Sequence, residues 1–206
     1  MTDPTTDTAD IAWLRNLAAE GATAPMRGGS TLMAAGLIFG VASLVHWAIA
    51  AGMLALRPTA FSFVWLGATA LFLATLILTI VRRSGSGGVR TAIDRVSRAV
   101  WSAVGWGIFA LFGSIALIAM RLGEPSIVLL TLTPSIIMAF YGLGWAVSAA
   151  ITRSRPLGGL AVASFIAAPL LALMFDQSAQ YLAYAGCLFA LMAVPGFLLM
   201  RAAKRA

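Results

Sequence analysis

One histidine, one cysteine and one lysine stand in 206 residues that hold seven acidic side chains against fourteen Lys and Arg. Each scarcity removes a class of chemistry. A lone Cys187 excludes an intrachain disulfide, so it says nothing of redox compartment. One His and one distant Cys fall short of the three or four ligands of a zinc site, and of the axial ligands that a di-haem membrane cytochrome takes from facing helices. The single lysine, Lys204, lies near the C-terminus, outside every apolar run, which excludes a rhodopsin-like Schiff base. The apolar runs also contain no Asp, Glu, Lys or Arg in their interiors. Proton-coupled transport and intramembrane acid–base chemistry normally place such a group inside the bundle. Ser43 lies one helical turn before His46, yet no embedded acid is available to orient the imidazole. No catalytic residue, metal or cofactor is therefore expected within one chain.

What is present is hydrocarbon. Hydrophobic residues make up 61% of the chain and charged residues 10%, against about a quarter charged in soluble domains. Mean hydropathy is +0.94. Crossing about 30 Å of hydrocarbon takes roughly 20 apolar residues, and six runs qualify: about 30–55, 60–81, 99–120, 126–151, 156–175 and 178–200. The expected fold is an all-α integral membrane protein, a six-transmembrane-helix bundle over 30–201. A cytoplasmic tail (1–29) precedes it, carrying a short amphipathic helix at about 8–20, and a basic C-terminus (202–206) follows. The lipid bilayer is its solvent. The net charge of +7 is no nucleic-acid signal, because the basic residues cluster at the ends of apolar runs and not on one soluble face.

Those clusters set orientation. Arg82, Arg83, Arg90, Arg95 and Arg98 fall between spans two and three, Arg153 and Arg155 between four and five, and Arg201, Lys204 and Arg205 after the sixth. Only Arg57 and Arg121, with Glu124 and Asp176, occupy the other side. Six spans then place both termini in the cytoplasm. The preference for Arg over Lys, with abundant Ala, Gly and Leu, points to GC-rich coding and a bacterial inner membrane.

The first 29 residues lack the basic n-region of a signal peptide. Asp7 is placed to cap a helix through Glu20, with Gly21 just past its end. Ile11, Leu14, Leu17 and Ala18 share one face. Asp3, Asp7, Asp10 and Glu20 outnumber Arg15 and Arg27, a poor match to an anionic leaflet. Docking on the arginine-rich segment between spans two and three, or on a partner protein there, fits better. That segment, Arg82-Arg83-Ser84-Gly85-Ser86-Gly87-Gly88-Val89-Arg90, lacks the Gly-Lys-Ser/Thr ending and the preceding strand of a P-loop. It reads as a Gly/Ser hinge before a basic helix, and Arg82, Arg83, Arg90, Arg95 and Arg98 are its candidates for protein or lipid-headgroup contact.

Within the spans, Gly36 and Gly40 form a GxxxG that Ala48 and Gly52 extend along one face. Gly159, Ala163 and Ala167 do the same in the fifth span, and Gly186 and Ala190 in the sixth. Small residues at this spacing let helices approach closely in lipid, either inside the monomer or across a homo-oligomer seam. Pro134, Pro169 and Pro195 each remove a backbone donor inside a span. Thr131, Thr133 and Ser135 flank Pro134 and can satisfy the carbonyls that a kink frees. With Ser43, His46 and Tyr141 they could otherwise line a polar cavity. His46 lies about three residues, or 4 to 5 Å, past the middle of its span, too deep for easy snorkelling. It is expected to face the bundle, neutral, bonded to a hydroxyl or carbonyl.

Three functions remain open: a non-enzymatic inner-membrane protein acting through partners in regulation, sensing or assembly; a facilitator or transporter of a neutral or lipophilic small solute; and a membrane enzyme or cofactor subunit using His46 across an oligomer, for example with haem. The topology is checked by a reporter that is active only in the periplasm, fused after Lys204. It should remain silent, and activity would invert the assignment.

Overall fold

The computed structural model describes residues 28–84, 92–123 and 127–205. The tail helix at 8–20, the Gly/Ser hinge with Arg90, and Glu124 lie outside these residues, as does the side chain of Arg83. Six helices are long and apolar enough to cross a membrane: α1 (Gly29–Ala50), α2 (Thr59–Ser84), α3 (Ala92–Leu122), α4 (Ile127–Thr152), α5 (Arg155–Leu173), and a sixth span built from α6 (Ala179–Leu188), a π-helical turn (Phe189–Ala193) and α7 (Val194–Arg205).

α1 stops short of the 55 expected from its apolar run, and local hydrogen bonding explains why. Gly52 takes the left-handed conformation (φ 74°). Its N–H donates to Ile49 O at 3.0 Å, and Met53 N–H donates to Ala48 O at 2.9 Å. This pair of bonds around a positive-φ glycine is a Schellman motif. Gly52 was expected to extend the GxxxG packing face; instead it ends the helix, and no side chain lies near where its Cβ would project.

The other two glycines do pack, and against the sixth span of the same chain. A Cβ on Gly36 would strike the backbone of Ala193, and one on Gly40 would meet the Phe189 ring at 2.6 Å. Farther along, Gly29 and Gly196 face each other so closely that neither position has room for a side chain. The GxxxG face of α1 is thus occupied within the monomer.

α4 and α5 form the other tight pair, with Gly142 receiving the Phe165 ring. The inner faces of α4, α5 and the sixth span, with Leu32 of α1, enclose one core centred on Met138, Trp145, Leu171, Leu188 and Met192, each at most 2% exposed. α2 and α3 stand outside it. α2 packs chiefly on α1 and α3 on α4. Only 6% of each central apolar window is buried, against 28–39% in the other four spans. The architecture is therefore a four-span core with a peripheral helix on either flank.

The sixth span carries a π-helical turn because Pro195 has no N–H to offer Leu191 O, four residues back. The ladder widens there, and Trp145 of α4 takes over the vacated role: its indole N–H donates to Leu191 O at 3.0 Å.

The close approach of α1 and the sixth span is checked by bulk. Gly36→Leu and Gly196→Leu should each destabilise the folded protein in detergent by about 1 to 3 kcal/mol or more. Gly159→Leu, where a Cβ meets open space, should be nearly neutral in the same thermal-unfolding assay.

Candidate functional site

The six residues considered for a bundle cavity do not converge. They divide between two polar clusters, both at the arginine-poor end of the bundle, with Tyr141 in the core between helices.

The first cluster surrounds His46. The helix ends at Ala50, so His46 sits about one turn from the end of α1, closer to the surface than the longer span had implied. Its ring stacks on Tyr181 of α6, with centroids 3.6 Å apart and planes at 17°. Phe61 of α2 lies on it at 4.3 Å and 36°. Trp65 Nε1 donates to His46 Nδ1 at 2.9 Å. An indole nitrogen can only donate, so Nδ1 must be an acceptor and the imidazole is the neutral tautomer with its proton on Nε2. The partner is thus an aromatic N–H from the peripheral helix, not the hydroxyl or carbonyl that the sequence suggested. Ser43, one turn earlier, gives its hydroxyl to Tyr181 O at 2.7 Å. Two residues of α1 therefore hold the same residue of α6, one by its ring and one by its backbone.

The second cluster forms where α4, α5 and α6 meet. Thr131 and Thr133 turn back on their own helix, donating to Ile127 O at 2.6 Å and Leu129 O at 3.0 Å. Neither acceptor is Leu130 O, the carbonyl that loses its donor to Pro134. Ser135 does not serve that carbonyl either: it reaches across to Ala168 O of α5 at 2.5 Å. The residue that organises this junction is Gln180, which was not singled out in the sequence. It is completely buried, and its Nε2 donates to Thr131 O at 2.8 Å and to Leu171 O at 2.9 Å. Thr131 O lies in the turn before Pro134, and Leu171 O, in the last turn of α5, also accepts the Met174 N–H at 3.2 Å. One amide thus ties the Pro134 turn of α4 to the end of α5.

Tyr141 packs among Trp101, Met138 and Trp145, with the Trp101 and Trp145 rings 4.9 Å apart and nearly perpendicular. Two apolar grooves on the surface are lined by none of the six residues. One of roughly 500 Å³ runs between α5 and the sixth span past Ala163, Ala167, Gly186 and Ala190, and one of roughly 310 Å³ lies beside Met33 and Phe189. Among the described residues, no three of His, Cys, Asp and Glu lie together as a metal-ligand set.

At the arginine-rich end, Arg82, Arg95 and Arg98 are exposed, as are Arg153, Arg155, Arg201 and Arg205. Arg98 Nε donates to Asp94 O at 3.2 Å. Asp94 itself is 6% exposed and engaged, an acid inside the segment that had been read as purely basic. Its signal in the sequence was an acidic residue in the first turn of a helix, where the dipole favours it.

The His46 contact is testable by a double-mutant cycle. His46→Phe and Trp65→Phe should show a coupling energy of about 0.5 to 1.5 kcal/mol in thermal unfolding. His46→Gln, which retains an acceptor, should keep most of the stability. Comparisons of the chain with family models, curated proteins and solved structures give no match, so function must be read from these side chains and surfaces.

Proposed function

We propose that this is a non-enzymatic protein of the bacterial inner membrane that works through protein partners, with both termini cytoplasmic. Its contact surfaces are the outward faces of the two peripheral helices, α2 and α3, which flank the core separately, together with the arginine-rich segment that joins them in sequence. The observation that carries this reading is the division of burial. Four spans bury 28–39% of their central windows in a shared core, while α2 and α3 bury 6% of theirs and turn Phe63, Leu66, Trp106 and Phe109 outward, each at least 66% exposed. Lipid tails are as apolar as these side chains, so such faces are stable in a bilayer and are also available to another helix. Aromatic rings offer a partner large contact area with little rotamer entropy to lose. The exposed Arg82 near the end of α2, and Arg95 and Arg98 near the start of α3, give each face a charged margin, suited to an acidic partner segment.

A solute path finds less support. The hydroxyls and the imidazole that would line it are engaged with backbone carbonyls or aromatic rings.

Photo-crosslinking from inside the membrane tests the proposal. A photoreactive residue placed at Phe63, Leu73, Trp106 or Phe109 should give a discrete protein adduct in cells. The same probe at Val162, on the exposed face of α5, should give lipid adducts only. Lipid adducts alone at all five positions would overturn the reading.

A further inference from the structure

Gln180 carries an unanswered acceptor. Its side chain is 0% exposed, and its Oε1 has no hydrogen-bond partner although its Nε2 has two. Turning the amide over does not help, because the oxygen would then face two carbonyls. The Thr131, Thr133 and Ser135 hydroxyls each serve a carbonyl, and the N–H groups of Gln180 and Tyr181 bond to Gln177 O and Ser178 O. An amide oxygen left without a donor in an apolar interior is costly, and hydrocarbon offers no solvent to relieve it.

We infer that Gln180 Oε1 binds one structural water at the junction of α4, α5 and α6. The complete burial of Gln180 leaves no access for a lipid headgroup, so the donor is small. A buried water needs two to four polar partners. Leu130 O, one peptide before the carbonyl held by Gln180 Nε2, is the second acceptor, since Pro134 deprives it of its N–H donor. The water donates one proton to Oε1 and the other to Leu130 O. The Pro134 turn is then not a gap in the hydrogen-bond ladder but a hydrated joint, in which the water answers Leu130 O and Gln180 Nε2 bonds its neighbour, Thr131 O.

Gln177 and Gln180 are the only two glutamines in the chain, which makes the site accessible to NMR. In full-length protein in nanodiscs, selective ¹⁵N-glutamine labelling yields two side-chain amide pairs. Gln180→Met removes one of them, and Gln177→Met, at an exposed turn position, assigns the pair independently if the first variant fails to fold. The Gln180 amide protons should show a cross-peak to water of the sign given by dipolar contact and opposite to that of chemical exchange. A high-resolution experimental structure should show an ordered water at about 2.7 to 3.2 Å from Oε1. Absence of that cross-peak would overturn the inference. So would a structure in which a hydroxyl, from Thr131 or from Tyr184 one turn along α6, donates to Oε1 directly.

Discussion

A backbone carbonyl in hydrocarbon must find a donor within the protein, and two prolines that take donors away, Pro134 and Pro195, lie where side chains bond across spans of this bundle. Soluble helices pass such debts to water. Here Trp145 donates to the carbonyl stripped by Pro195, and Gln180 reaches into the turn before Pro134. Each of these bonds joins two different spans, so satisfying a local defect and fixing the packing of the bundle are one event. A helix without its proline would need no partner at that carbonyl and would lose the register that the bond imposes.

The two ends of the bundle use different means to the same result. At the arginine-poor end, Gln180 and Tyr181 are neighbours on α6 pointing to opposite sides. Gln180 binds α4 and α5 through its amide. Tyr181 receives Ser43 and His46 of α1, and α2 reaches the same cluster through Trp65. Farther along, the sixth span holds α1 by absence of side chains: Gly36 lies against Ala193, and Gly29 against Gly196. Directional bonds need a defined geometry and dispersion needs close approach. The sixth span supplies both because its first turns are polar and aromatic and its later turns are small.

The span count was legible because length, hydropathy and the placement of arginine all depend on the bilayer and not on tertiary detail. The same reasoning misplaced the end of α1, because an apolar run continues through Ala51 to Leu56 whether or not the chain is helical. The left-handed glycine that stops it has the same identity as a glycine that packs. The prolines were visible, but the residues that answer them were not. Trp145 and Gln180 act on carbonyls of other spans, and no local pattern states which carbonyl a side chain will meet. Gln180 offered a usable signal nonetheless: a lone amide just inside an apolar span has no reason to be there unless it serves a buried group. The partner of His46 was missed for the same reason, since Trp65 lies nineteen positions away on a helix that faces largely outward.

That last bond bears on how the peripheral helices relate to the core. α2 is attached mainly through α1, and its polar contact in that attachment is Trp65 to His46. α3 is attached through Trp101, seated over Gly144 against Trp145. α2 is held at a second level, where Phe72 meets Phe39 of α1 at 5.4 Å, and α3 at another, where Gly107 faces the Phe140 ring of α4. Each helix is thus fixed along several turns of one face while its other face stays apolar and open. If α2 and α3 are where another protein is met, the core need not deform to accommodate it. The adjustment is confined to two helices whose remaining surface exchanges one apolar neighbour for another.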